Sequence, residues 1–277
     1  MLTILTDSTA DLGSDIAAEF NLRVIPLSIF IGGRTYRDAG DIGPDDLFRL
    51  VKQTGELPKT SAPSVGEFEN AFRKIDEGVY IGISSQLSAT LQNARLAAQG
   101  LPAENVCVID SLNLSTGIGL LALMASELQR QGCTREEIRD RVQRSIPKVR
   151  TSFVVETMEY LYKGGRCSAI QALMGSMLKI RPIIEVRPDG TMGVKAKARG
   201  SRAKALQVLL DELESQLPNL DRRRVFITHS GCPADAEFLA RDVQRIAAPE
   251  DIRITLAGSV ISSHCGPDTI GILYLLK

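Results

Sequence analysis

The sequence predicts an α/β fold in two parts, and three observations carry that prediction. Short apolar runs alternate with amphipathic stretches through the first half of the chain, the order expected when strands alternate with helices. Turn and capping residues separate those runs at nearly every junction. The texture then changes after Pro147, which ends a helical stretch. This places a boundary near Lys148, between an amino-terminal domain of residues 1–147 and a carboxyl-terminal domain of residues 148–277.

The first strand is Leu2 to Thr6, broken by the polar run Asp7-Ser8-Thr9-Ala10-Asp11. Leu22 to Ile31 reads as one further strand, with Gly32-Gly33 as a hairpin turn. Ser64-Val65-Gly66-Glu67 is a capping box that opens a helix containing Phe68 and Phe72. Val79 to Ile83 is a buried strand, followed by the hydroxyl-rich loop Ser84 to Thr90 and a helix. Val106 to Ile109 is a strand that runs into Asp110-Ser111 and an apolar helix over 115–131. Thr134 and Glu137 form a second capping box. In the second half, a strand near Thr151 to Val155 precedes the amphipathic run 156–163, and a helix is expected over 168–178. Pro188-Asp189-Gly190 joins two strands as a hairpin. A long helix over 201–217, the strand Val225 to Thr228, one more helix, and strands over 252–256 and 270–275 complete the chain.

Bulk composition excludes several functions. Lys plus Arg and Asp plus Glu number 33 each, so the net charge is zero and the basic surplus of a nucleic-acid binder is missing. Arg222-Arg223-Arg224 reads as a solvated turn. The 5 cysteines are far apart and form no Cys-x-x-Cys or zinc-site spacing, which is the pattern of reduced core cysteines in a cytoplasmic protein. No apolar run reaches the ~20 residues that span a bilayer, so no stable membrane insertion is expected.

Hydroxyl groups carry the candidate chemistry. Thr6-Asp7-Ser8-Thr9, Thr60-Ser61-Ala62-Pro63-Ser64 and Ser84 to Thr90 read as loops at strand ends, where an open parallel sheet gathers its ligand contacts. Helix-end amides beside hydroxyls hold a carboxylate or phosphate without a lysine. Ser64 is consumed by its capping box, whereas Thr60, Ser61 and Ser88 are surplus to capping and are the ligand candidates. The 2 histidines, His229 and His264, each follow an apolar strand in a Gly/Ser-rich setting, and His264 is the stronger candidate. Gly117-Ile118-Gly119 imitates a dinucleotide fingerprint but lacks the acidic strand end that should follow, so close helix packing is the better reading. No Walker A sequence, His-Glu-x-x-His or Gly-x-Ser-x-Gly elbow is present, and no cofactor is expected. A serine esterase or thioesterase built on Ser88 and His264, with Asp110 as a third member, is the alternative reading.

Several stretches share one pattern: Thr6 to Leu12, Pro26 to Ile29, Asp38 to Ile42, Thr60 to Ser64 and Ile83 to Thr90, then Glu156 to Ser168, Ile180 to Ile184, Lys197 to Gly200 and His264 to Pro267. In this order and spread they resemble the DegV family of bacterial fatty-acid-binding proteins over essentially the whole chain. The resemblance implies an amino-terminal three-layer α/β domain with a mainly parallel sheet and a smaller carboxyl-terminal α/β domain, with one long-chain fatty acid between them. It implies a carboxylate held by Thr60, Ser61, Ser88 and Ala89 with His264 nearby. It further implies a lipid-binding carrier, not an enzyme, that presents its acyl group to a separate ATP-dependent fatty acid kinase, with Arg199 serving that partner. The acyl phosphate formed there enters phospholipid synthesis. The candidates for the acyl-tail tunnel are Ile29, Leu173, Met174 and Met177, since flexible methionines suit an irregular ligand. Ala62, Ala89 and Asp268 depart from the residues usual in the family at those positions.

Overall fold

The computed structural model describes residues 2–101, 105–173 and 180–277. Its first sheet is fully parallel, in the order β2 (Arg23–Ile25), β1 (Leu2–Asp7), β6 (Glu77–Gly82), β7 (Val106–Asp110). The central strands β1 and β6 are largely buried on both faces because helices cover both, as a parallel sheet requires. On one face, α3 (Val65–Phe72) and α4 (Thr90–Gln99) bury Phe68, Phe72 and Leu91 against Tyr80. On the other lies α5 (Thr116–Arg130), buried nearly all round.

The expected single strand over 22–31 is two strands in different sheets. Pro26 lacks a backbone N–H, and the chain leaves the parallel sheet after β2. It re-forms as β3 (Ser28–Ile31) in a three-stranded antiparallel sheet with β4 (Arg34–Arg37) and β5 (Lys59–Ser61). Gly32 and Gly33 make the β3–β4 turn with φ of 57° and 74°, values that glycine adopts without strain. Thr60-Ser61 therefore lies on a strand, not in a loop of the parallel sheet. The helix α2 (Pro44–Thr54) packs Leu47 beneath this small sheet with Ile29, Ile31 and Ile42.

Residues 149–276 build a mixed six-stranded sheet. Its order is β10 (Met192–Arg199), β9 (Ile180–Val186), β8 (Val149–Val154), β13 (Thr269–Leu276), β11 (Leu220–Ser230), β12 (Ile252–Leu256). The helices α8 (Arg202–Ser215) and α9 (Pro233–Ala247) cover one face. The other face meets α5, so Phe153, Phe226 and Leu273 share one core with Ile4, Val79 and Ile81 of the parallel sheet. The arginine run belongs to β11 and is not a turn, although Arg222 and Arg223 are solvated as expected. Arg224 pairs with Glu127 of α5 and with Asp251, and its guanidinium stacks on Phe20.

Four further α-helices complete the described chain: α1 (Gly13–Glu19), α6 (Arg135–Ser145), α7 (Glu159–Gly164) and α10 (Ser259–Cys265), of which α7 and α10 border the site. His264 is thus in the last turn of a helix instead of a strand-end loop, and His229 is on β11 itself. A helix is possible at 259–265 because Gly258 enters it from extended backbone and small Ser residues fill its buried face. A 3-10 helix, Ser168–Leu173, stands where the longer helix is expected. Leu173 ends it, and Met174 and Met177 lie outside the described residues. No described helix is long and apolar enough to cross a membrane.

Candidate functional site

Local chemistry places one half of the site on β5. Thr60 pairs with Ile29 in the β3–β5 ladder. Its Oγ1 lies 2.8 Å from Nε2 of His264, a hydrogen bond that joins the two halves of the chain. The other ring nitrogen, Nδ1, is buried without a partner among the described residues. It rests against Gly164 at the end of α7, where a Cβ would come within 2.7 Å of it. Burial, with the nearby Arg166 charge adding to it, pushes the imidazole pKa down to about 4, so His264 is neutral at pH 7.

The second half of the site is the loop between β6 and α4. Asp7, fully buried at the end of β1, accepts hydrogen bonds from Tyr80 Oη (2.7 Å) and from the Ile83 amide (3.1 Å), which fixes where this loop starts. Burial raises the Asp7 pKa, and those hydrogen bonds oppose the rise. Ser84 Oγ donates to the Gly190 carbonyl at 2.8 Å and so ties the loop to the β9–β10 hairpin. Asn93 of α4 donates to the Pro63 carbonyl at 2.8 Å, which brings this loop beside the segment that follows Thr60. Arg166 spans the remaining gap, donating to the carbonyls of Leu87 (3.4 Å) and Gly164 (2.6 Å).

Among the sequence candidates, Thr60 and His264 are brought into direct contact. Ser88 Oγ sits 2.8 Å from Thr90 Oγ1 and accepts from the Thr90 amide, so it also serves the start of α4 and is not wholly surplus to capping. Ala89 is exposed beside it, at the amino end of the same helix. Ser61 is exposed and donates to the adjacent Ala62 carbonyl. The side chain of Asp268 is exposed, and its backbone is held by Ser230 and Arg202. No hydrogen bond links Ser88, His264 and Asp110: the Asp110 carboxylate accepts instead from the amides of Ser85 and Leu112. The geometry of a hydrolase triad is therefore not assembled. Gly117 and Gly119 are packing glycines, pressed against Asn113 and Thr151 and against Leu12.

His264 also lines a cavity enclosed by the mixed sheet, α7, α10 and the segment before α5. Its apolar wall is Leu114, Phe153, Leu161, Met192, Ile261 and Leu273. Among the described residues, four hydroxyl side chains line it as well, and each is bonded to protein. Ser115 donates to Asp11, Thr151 to Asn113 and Thr269 to the Cys265 carbonyl, while Thr228 bonds Thr116 and Thr255. His229, the second histidine of the wall, accepts the Cys232 amide at Nδ1. With their polar atoms satisfied, the hydroxyl residues contribute to a wall suited to hydrocarbon. Ile29 is not among these lining residues; it is fully buried with Leu27, Ile31 and Val260 under the small sheet. Of the cavity residues, His229 and His264 were sequence candidates; the others, from β8, β10, β11, β13, α7, α10 and the segments before α5 and α10, are brought together by topology, as is Arg166. The one local signal was an arginine directly after Gly164-Gly165.

The fold is shared with known proteins. A family profile described as "Uncharacterised protein, DegV family" matches residues 1–277. The chain belongs to the DegV family. A DegV domain-containing protein of Clostridium acetobutylicum is 33% identical, with 100% of this chain and 99% of its own length covered. A DegV family protein of Thermus thermophilus, described for its fatty acid binding, has 32% identity and a TM-score of 0.93 over 100% of this chain and 99% of its own. A protein of Thermotoga maritima, described as revealing a fatty acid binding function, has 29% identity and a TM-score of 0.87, covering 99% of each chain. Both of these structures share the α/β architecture seen here.

Proposed function

We propose that this DegV protein binds one long-chain fatty acid and presents its carboxylate to a separate ATP-dependent fatty acid kinase. The observation that carries the reading is the position of His264, which bonds Thr60 and also lines a cavity whose hydroxyls, among the described residues, are all bonded to protein. A carboxylate at this point takes the Thr60 hydroxyl proton as a hydrogen bond, next to Arg166 and to the α4 amino terminus with Ser88 and Ala89. The tail then lies along Phe153, Met192 and Leu273. Each methylene taken from water contributes roughly 0.8 kcal/mol, so a long chain supplies on the order of 10 kcal/mol before the costs of binding. The tail sets affinity and the hydroxyl cluster sets orientation. The fatty acid binding described for the Thermus and Thermotoga relatives supports the same ligand class.

Arg199 is exposed at the end of β10, beside Gly200, whose carbonyl is held by Arg181. An exposed cation there suits a partner surface better than a buried ligand, which supports a role toward the kinase. Purified protein should carry about one fatty acid per chain by native mass spectrometry. Thr60→Ala should weaken oleate binding by about 10-fold to 100-fold, the loss of a hydrogen bond to a charged group. Arg199→Ala should keep the ligand but lose acyl-phosphate formation with the kinase. Protein that stays empty in the presence of oleate and palmitate would refute the reading.

A further inference from the structure

His264 is carried by α10, a seven-residue helix with little stability of its own. What fixes that helix is contributed by the opposite half of the chain. Asp38, which is 1% exposed, follows β4 and accepts the Ser259 amide at 2.8 Å and the Val260 amide at 3.3 Å through one carboxylate oxygen. Asp11, 4% exposed, follows β1 and accepts the Gly258 amide at 2.8 Å, while its other oxygen takes the Ser115 hydroxyl at 2.6 Å. Three consecutive amides at the start of α10 thus end on two buried carboxylates. The Ser259 hydroxyl adds a bond to the Ile42 carbonyl at 2.9 Å. At the far end of the same helix, His264 meets Thr60 and Gly164. Gly258 gives the clamp room: a Cβ there would come 3.1 Å from Asp11 Oδ1 and 3.2 Å from Asp38 Oδ2, tight enough to displace both carboxylates by a few tenths of an ångström.

We infer that Asp38 is a positioning residue for His264, fixing α10 from the amino-terminal half so that the imidazole is presented to Thr60 at the mouth of the ligand site. The ligand role of His264 rests on the function proposed above; the mechanical link from Asp38 to the ring does not. Asp38 is distant from the ring along the helix, so its effect passes through the placement of α10. Asparagine retains an oxygen for both amides and should preserve the clamp, whereas alanine removes it.

The chain has only two histidines, so NMR of histidine-labelled protein without ligand resolves His264 against His229 as an internal control. In Asp38→Ala, the His264 ring signals should shift and its titration should move up from about 4 toward the ordinary histidine range, with His229 unchanged. Asp38→Asn should restore the wild-type His264 signals. Oleate affinity should fall at least tenfold in Asp38→Ala and stay within twofold in Asp38→Asn. Should Asp38→Ala not fold, Gly258→Ala disturbs the same carboxylates and should shift His264 in the same direction. Unchanged His264 signals in the folded variant, or equal movement of both histidines, would overturn the inference. Wild-type protein that fails to bind oleate would refute the proposed function but leave the ring measurement as the test of positioning.

Discussion

At the scale of single residues, His264 concentrates the chemistry of the site. Its neutrality comes from burial and from Arg166, and its orientation comes from Thr60 on one nitrogen and the bare backbone of Gly164 against the other. The folded ring titrates near 4, and an unfolded histidine near 6.5. Between those values an unfolded chain takes up a proton here that the folded chain refuses. The stabilising contribution is therefore complete above about pH 6.5 and is lost as the pH falls toward 4, at up to about 3 kcal/mol over the whole interval. Denaturant unfolding at pH 7 and pH 5 checks this: His264→Gln should lose less stability on acidification than the wild type. The histidine was visible as a candidate in the sequence, because a histidine next to Cys265-Gly266-Pro267 does not sit on a plain apolar face. Its partner Gly164, its helical setting and its unpaired Nδ1 were not visible, since contact between residues 100 positions apart leaves no local pattern.

Elements were legible where capping or turn chemistry is local. Both capping boxes form as read, with Ser64 and Glu67, and Thr134 and Glu137, exchanging side-chain and backbone bonds. Thr134→Ala should cost about 1 kcal/mol, lowering the melting temperature by a few degrees in a scanning calorimeter. The Gly32-Gly33 and 188–190 hairpins are likewise set by their turn residues. Reading failed where an apolar run is ambiguous. Residues 22–31 have the hydrophobicity of one long strand, but Pro26 hands the chain from a parallel to an antiparallel sheet, and that transfer moves Thr60 to a strand beside α10. Residues 259–261 look like a strand end. They form a helix because Asp11 and Asp38, both more than 200 positions away, satisfy its first amides.

Across the whole molecule, the parallel and mixed sheets are joined by α5, whose side chains contribute to a core common to both. Leu121, fully buried at that junction, is a test of the joint. Leu121→Ala should destabilise the protein by about 2–5 kcal/mol. Hydrogen exchange should show protection lost together in β6 and β13; loss confined to one sheet would mean the two halves open independently. Ion pairs tie the same seam at its edge, where Arg253 bridges Glu19 and Asp251 and Arg224 reaches Glu127.

By itself, the sequence determined the α/β class, the family, and the hydroxyl-rich segments that offer candidate ligand groups, because periodicity, caps, turns and such segments are short-range signals. The tertiary structure alone decided that Thr60 meets His264, that buried aspartates from one half seat the helix of the other, and that the cavity hydroxyls point their bonds into protein. Those outcomes depend on which strands become neighbours and which polar groups find partners on burial, and both are settled only when the two sheets close on one core.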